Sequence, residues 1–502
     1  MDLATTLGWA ARRHPGRRAV GGAGRALTYR QWDARTNQLA RALAAAGVRP
    51  GDRVAFSLAG GEPLASLHLG AQKLGAASVP LSTRFGAEEL RYCIGDSAAV
   101  LLVTDQTTVE RASAAAGDVP LRTAAELDAM AADEPDGALP NVPGEDSVSV
   151  VLYTSGTTGR PKGVPRSHRA EHTAAVAHAV QTQQRQGEVV LGVMPLFHTM
   201  GLRTLLTSIV VGGTWIAQPQ FDAAESLELI RTENVTSLYL VPTIFWSLLH
   251  TGRLGEARSV DRLAYAGAAM TPTLAEQLVS ALAPTAFVNH FGSTEIYTFT
   301  IGPDVAAKPG SAGRAGIFSE VRLVAPEDGA PPDALVGPGE QGQVIVSMAS
   351  PEAFAGYWQR PDADEKAIRE GWYYTGDLAT ADDDGDLWVA GRVDDMINSG
   401  GENIYPDEIE AALARCSAVA DVCVVGMPDE RWGQAVTAFV VPAQATDPAA
   451  AVAATAAHAR SVLPSLKRPK RVVAVGAIPR SGVGKTLRRT LVAGEFEALA
   501  DA

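Results

Sequence analysis

The sequence predicts a layered α/β protein with substantial parallel sheet, divided into two or more compact units. Three observations carry this. Short β-branched or aliphatic runs alternate with alanine-rich amphipathic segments, as strands and their covering helices do. The chain has 502 residues, more than one hydrophobic core usually serves. Its 46% hydrophobic and 20% charged residues are the balance of a well-cored globular protein.

Taken in order, Tyr29 to Ala46 is expected as an amphipathic helix, and the runs Arg53–Phe56, Val100–Val103, Val148–Val151 and Val189–Val193 as strands. Pro, Gly and acidic residues cluster in DEPDGALPNVPGEDS (133–147) and APEDGAPPDALVGPGEQG (325–342), which read as loops joining subdomains. A third break lies at GRVDDMINSGGEN (391–403), followed by a mixed segment of about a hundred residues, the size of a small domain. Within it, Pro442 to Ala457 reads as a loop followed by an alanine-rich helix.

The formal charge of −13 argues against a general nucleic-acid or anionic-membrane surface but leaves room for a local basic patch holding a phosphorylated ligand. Cys93, Cys416 and Cys423 are an odd three without CxxC spacing, which speaks against a disulfide framework or a cysteine-built metal site and for a reducing compartment. The opening MDLATTLGWAARRHPGRRAV lacks the basic-then-apolar order of a signal peptide, and no apolar run approaches a membrane span. A cytoplasmic protein without membrane contact is expected.

The most informative stretch is YTSGTTGRPKG (153–163), directly after an expected strand. Glycines reach backbone angles that let successive N–H groups converge on one anion, Ser and Thr hydroxyls add donors, and Lys162 adds a mobile cation. A nucleotide polyphosphate fits that chemistry, although a plain surface loop has the same composition. The Walker pattern is not met, because Lys162 lies between Pro161 and Gly163.

Four more motifs follow: NHFGSTE (289–295), WYYTGDLA (372–379), GRVDD (391–395) and PRSGVGKTLRR (479–489). Together with the opening loop, this ordered set resembles the adenylate-forming superfamily of acyl-CoA and aryl-CoA synthetases, luciferases and peptide-synthetase adenylation domains, over nearly the whole chain. MPLFHTMG (194–201), FSEVRLV (318–324), GRVDDMINSGGENIYPDEIE and DERWGQAVTAFVVP (429–442) look like benzoate-type and chlorobenzoate-type CoA ligases. Adenylation domains for amino acids usually carry an aspartate soon after the phenylalanine of the first of these. Here His198 follows Phe197, so the implied substrate is a carboxylic acid without an α-amine.

The resemblance implies an N-terminal domain, 1–393, of layered α/β subdomains with a small β-rich subdomain, and a small mobile α+β C-terminal domain, 394–502, turning on a hinge at Asp394. It implies two half-reactions. The acid attacks the α-phosphorus of ATP to give an acyl adenylate and pyrophosphate, and a thiol, that of CoA, then displaces AMP. Lys485 would bridge the carboxylate and α-phosphate; charge placed before bond formation needs no reorganisation during it. Thr154, Ser155, Gly156, Thr157, Thr158 and Lys162 would hold the outer phosphates, and Glu295, with Thr154 nearby, Mg2+. Gly267, Ala268 and Ala269 would wall the adenine, and the turn Asn289, His290, Phe291, Gly292, Ser293, Thr294 would face the nucleotide. Asp377 would accept from the ribose hydroxyls, with Arg392 on ribose or phosphate or merely pinning the domain junction.

For the acid, the resemblance implies a pocket of Ala177, His198, Thr199, Ala266, Asn289, His290 and Tyr297. Ala177 stands where related aryl ligases carry a bulky aromatic, and His290 replaces an aliphatic residue, so a cyclic acid larger than benzoate and bearing an oxygen substituent is expected. His198 has a competing reading as a hydrogen-bonded core histidine, and Arg203 is either exposed or a second polar contact. For CoA, the implied contacts are Ser399, Gly400, Gly401 and Glu402 along the pantetheine arm. Trp432 with Lys467, Arg468, Lys470 and Arg471 would receive the nucleotide end, although LKRPKR also reads as a solvated turn. A carrier protein's phosphopantetheine is the alternative acceptor, and a regulatory nucleotide-binding protein without catalysis is opposed by the intact Lys485, Glu295 and Asp377. If the chain assembles, its partner is expected to be a second copy.

Overall fold

The protein was analysed as a computed structural model. The structure describes all residues except 1, 141–142, 155–160, 328, 396, 400–401, 405, 430–431, 445, 466, 481–485 and 502, and the side chains at 394, 398, 402 and 403 also lie outside the description. Two compact units emerge: residues 1–321 with 346–373, and residues 322–345 with 374–502. The expected boundary at 393/394 falls inside the second unit. Compactness groups the hairpin of Trp372–Ala381 and Leu387–Arg392 with the C-terminal segment, whereas the 393/394 boundary marks an expected hinge, which packing alone does not locate.

The first unit holds two sheets. In the nine-stranded sheet, six strands run parallel in the order Ala286–Phe291, Arg262–Ala266, Ser237–Leu240, Val189–Gly192, Thr214–Ala217, Arg18–Gly22, with short antiparallel strands at both edges. The six-stranded sheet orders Leu121–Thr123, Leu101–Thr104, Arg53–Ser57, Ala77–Pro80 and Val148–Thr154 in parallel and closes with an antiparallel strand, Lys162–Ser167. Strands such as Leu101–Thr104, Thr214–Ala217 and Ser237–Leu240 are buried throughout, as parallel strands covered on both faces must be. The expected helix and strands appear within one to three residues of their predicted ends, the helix as Tyr29–Ala45 with a Thr28–Gln31 capping box and the strand from Val148 running on to Thr154. A core including Leu7, Trp32, Phe56, Val103, Leu152, Leu205 and Trp215 packs both sheets with their helices.

In the second unit, Val419–Asp429 pairs antiparallel with Gly433–Pro442, which runs parallel to Arg471–Val475. Helices Pro406–Leu413 and Pro448–Val462 pack on this sheet around Ile397, Ile409, Leu413, Val436 and Val452. The loops at 133–147 and 325–342 and the helix after Pro442 lie where composition placed them. All three cysteines are buried and free. Among the described residues no helix is long and apolar enough to cross a membrane.

Candidate active site

In open α/β sheets, ligands bind beyond the carboxyl ends of the parallel strands. Here those ends deliver the expected residues. Val189–Gly192 leads to His198, which caps the helix Thr199–Val210 by accepting the Met200 N–H at its Nδ1, 3.3 Å away. Arg262–Ala266 ends at Gly267, whose φ of +85° favours glycine, and Gly267, Ala268 and Ala269, expected to wall the adenine, are exposed. Ala286–Phe291 pairs Ala266 with His290 and Tyr265 with Asn289, then turns through Gly292. A Cβ on Gly292 would lie 2.0 Å from the Tyr297 carbonyl oxygen, so the turn that carries Ser293, Thr294 and Glu295 closes only on glycine. Ser293 Oγ accepts from the Glu295 N–H at 3.2 Å, fixing the carboxylate's root. Strand alternation sends Asn289 away from His290, and the Asn289 amide donates to the Ser311 carbonyl at 2.6 Å.

The strands Val148–Thr154 and Lys162–Ser167 form a hairpin whose last pair is Thr154 and Lys162. The intervening Ser155, Gly156, Thr157 and Thr158 lie outside the described residues, but both ends of the loop are anchored. Lys162 Nζ sits 4.2 Å above the Tyr357 ring, and the Tyr357 hydroxyl donates to Glu295 Oε1 at 2.8 Å. Burial lowers the Lys162 pKa, opposed by the Glu295 charge, and burial followed by that charge raises the Tyr357 hydroxyl. Lysine, phenol and carboxylate therefore converge where the loop opens. Two members of this group were missed in the sequence. Tyr357 lies in AGYWQRP, whose only signal was an aromatic pair after a glycine; Trp358 N–H donates to the Gly163 carbonyl at 2.8 Å and seats the segment on the hairpin. Arg166 is a fully buried arginine on a strand, donating to Glu171 and to the carbonyls of Thr294, Glu295 and Glu352, and so holds the glutamate turn from behind. Arginine is seldom so buried unless paired.

The acid-pocket residues gather partly. Ala177 is fully buried, His290 and Tyr297 are nearly so, and His198, Thr199 and Ala266 are half-buried. The His178 ring stacks on His290 with centroids 5.2 Å apart, and Arg203 lies over the Tyr297 ring. Of the two readings left for Arg203, the buried one holds: it is 3% exposed, with Nη1 3.0 Å from His290 Nε2. Burial, then the Arg203 charge, drives the His178 and His290 pKa values well down, so both rings are neutral.

In the second unit, Asp377 and Arg392 face each other in register across the hairpin, and Arg392 Nη1 donates to Asp377 Oδ1 at 2.6 Å. The expected cationic patch is mostly spoken for. Lys467 bonds Glu408 at 2.6 and 2.7 Å, Arg471 bonds Asp501 at 2.6 Å, and Arg468 donates to the Leu463 and Arg460 carbonyls at the end of an alanine-rich helix. Lys470 lies 5.2 Å over the Trp432 ring. Ser399 is buried and pairs with Glu402 and Gly433. Gly400, Gly401 and Lys485, and the side chains of Asp394 and Glu402, lie outside the described residues.

The AMP-binding enzyme family model matches residues 7–358, and the AMP-binding enzyme C-terminal domain model matches 408–485. The chain is 38% identical to a feruloyl-CoA synthase of Amycolatopsis sp, covering 95% of this chain and 96% of that one. It is 33% identical to a 4-chlorobenzoate–CoA ligase of Arthrobacter sp, covering 97% and 94%. Among solved structures, ATP-bound MatB from Rhodopseudomonas palustris is 27% identical with a TM-score of 0.90, covering 98% of this chain and 99% of that one. The glycine-rich hairpin, the glutamate turn and the strand-end wall thus stand in a chain that belongs to the AMP-binding enzyme family, as an AMP-forming acid–thiol ligase using ATP and CoA.

Proposed function

We propose that the protein activates a cyclic aryl or alicyclic acid, larger than benzoate and bearing an oxygen substituent, and transfers it from the adenylate to CoA. The observation that carries the reading is the convergence of Lys162, Tyr357 and Glu295 at the mouth of the Thr154–Lys162 hairpin, with Glu295 on the turn that follows the strand end carrying Asn289 and His290. Lys162 supplies fixed positive charge to the outer phosphates, and the loop's hydroxyls and N–H groups complete their cradle. Glu295 brings a carboxylate to that mouth, which fits Mg2+, a cation usually held by one or two carboxylates together with substrate phosphates. When bound, Mg2+ would neutralise phosphate charge. Tyr357 orients Glu295, and Lys485 brings the cation that lowers repulsion between the incoming carboxylate and the α-phosphate. Asp377 takes the ribose hydroxyls, which requires it to share or exchange its bond from Arg392.

The absence of bulk at Ala177 suits a ring, and neutral imidazoles suit a polar but uncharged substituent. Thioester formation uses the other pose of the C-terminal domain, 394–502, with Lys470 and Trp432 as contacts for the CoA nucleotide, since neighbouring cations are ion-paired. The test is a panel of acids supplied with ATP, Mg2+ and CoA, read by pyrophosphate release and by mass of the thioester. Cyclic acids should give both products, and linear acids should lag. Pyrophosphate without CoA thioester would favour carrier-protein loading, and preference for linear acids would overturn the cyclic reading.

A further inference from the structure

Beneath the strand ends lies a polar cluster with no role in phosphate chemistry. Arg203 and Glu352 are 3% and 0% exposed, yet Arg203 Nε and Nη2 have no hydrogen-bonding partner and the Glu352 carboxylate has none beyond a weak contact with the Thr298 side chain. Their nearest atoms, Nη2 and Oε2, are 3.9 Å apart, beyond direct hydrogen-bonding distance. Arg203 has Nη1 on His290 Nε2 and the Tyr239 hydroxyl, at 3.0 and 3.5 Å, and its plane lies over Tyr297. His178, stacked on His290, leaves both ring nitrogens without partners. Polar groups so deeply buried are costly unless something satisfies them.

We propose that the far end of the substrate acid carries a hydroxyl group that bridges Arg203 and Glu352, and that these two residues set the enzyme's specificity. The proposal rests on the cyclic-acid reading above. A single oxygen about 2.8 Å from both Arg203 Nη2 and Glu352 Oε2 is compatible with their 3.9 Å separation, since the three atoms form an ordinary triangle. That oxygen must accept from an arginine and donate to a carboxylate, and a hydroxyl does both. An ether oxygen cannot donate. A second carboxylate would be set against Glu352, with Glu171 already beside Arg166. An amine would turn donors toward a guanidinium, which has none to accept them. Position agrees: Arg203 lies four residues beyond Thr199, an expected pocket residue, on one helix, hence on the same face and about 6 Å further along it. The carboxylate, which must meet ATP at the mouth, therefore points away from the hydroxyl.

The experiment compares para-substituted benzoates and cinnamates carrying hydrogen, hydroxyl, methoxy, amino or carboxylate groups, using the full-length enzyme with ATP, Mg2+ and CoA. The wild type should prefer hydroxyl over hydrogen and methoxy by at least about 100-fold in kcat/KM, because a site built to bond a hydroxyl rejects analogues lacking it. In Glu352→Gln and Arg203→Lys, the hydroxyl-to-hydrogen ratio should fall at least about tenfold, the worth of one hydrogen bond to a charged group. A wild-type ratio near one overturns the proposal, and so does a ratio unchanged in soluble Glu352→Gln. The wild-type comparison decides even if both variants fail to fold. If no cyclic acid releases pyrophosphate, the cyclic-acid reading itself fails, which is a different result from equal use of hydroxylated and unsubstituted rings.

Discussion

Glu295 shows how single residues make this site. Its carboxylate is held by a phenol at 2.8 Å, its main chain by Ser293 and by the Arg166 guanidinium, so its position is set from three sides. Tyr357→Phe removes one hydrogen bond to a charged group, worth about 1.5–3 kcal/mol, while keeping the ring under Lys162. Adenylate formation should slow by about one to two orders of magnitude, with a raised Mg2+ requirement and the ranking of acids intact. Pyrophosphate release across the acid panel checks this, and a reordered ranking would move Tyr357 out of the phosphate site. Ala177→Phe should do the opposite: overpacking of about 1–3 kcal/mol should penalise bulky cyclic acids more than benzoate. Equal losses across a size series would remove Ala177 from the pocket. Lys162 and Glu295 were legible in the sequence because motif chemistry marks them. Tyr357, Arg166 and Glu352 were not, because their roles depend on contacts between segments well over a hundred residues apart in two of the three cases, which no local pattern encodes.

At the level of elements, hydrophobic periodicity located the helix Tyr29–Ala45 and the strand Arg53–Ser57 almost to the residue, since burial on one stripe or on both faces writes itself into composition. The returning strand Lys162–Ser167 was not foreseen, because KGVPRS contains a proline and an arginine that usually argue against an inner strand. It is tolerated at the sheet's edge, where one side needs no ladder. A second element-scale device lies in the C-terminal unit. Arg488, three residues past Lys485, bonds Asp407 at 2.7 Å, Glu410 at 2.8 Å and Asp395 at 3.4 Å, tying the segment after the lysine expected to be catalytic to the expected hinge turn. Burial pushes Glu410 up to about 7 from its ordinary 4.5, although Arg488 pulls the other way. Between those values the folded protein keeps a proton that the unfolded chain releases. The stabilisation is therefore complete below 4.5 and is lost as pH rises through about 7. Thermal unfolding should show Tm falling from pH 5 to pH 7.5, about the window of that shift, and Glu410→Gln should flatten this part of the profile. An unchanged slope in the variant would assign it to other groups.

For the whole molecule, Lys162, Tyr357 and Glu295 belong to one unit and Asp377, Arg392 and Lys485 to the other. Composition and loop-rich breaks indicated more than one unit. They did not indicate that residues 322–345 and 374–393 pack with the C-terminal segment, a grouping made by tertiary packing such as that of the helix Pro406–Leu413 against Leu387–Arg392 and not by any local pattern. If the C-terminal domain performs two jobs by turning at Asp394, proline there should hinder rotation by fixing φ, sparing adenylate formation and slowing thioester formation. The direct test is Lys485→Ala in single turnover, with adenylate formation and thioester formation from supplied acyl adenylate measured separately. Loss of the preplaced cation should cut the first by about 100-fold to 1,000-fold and leave the second within a few-fold of wild type. Equal damage to both steps would contradict the two-pose account.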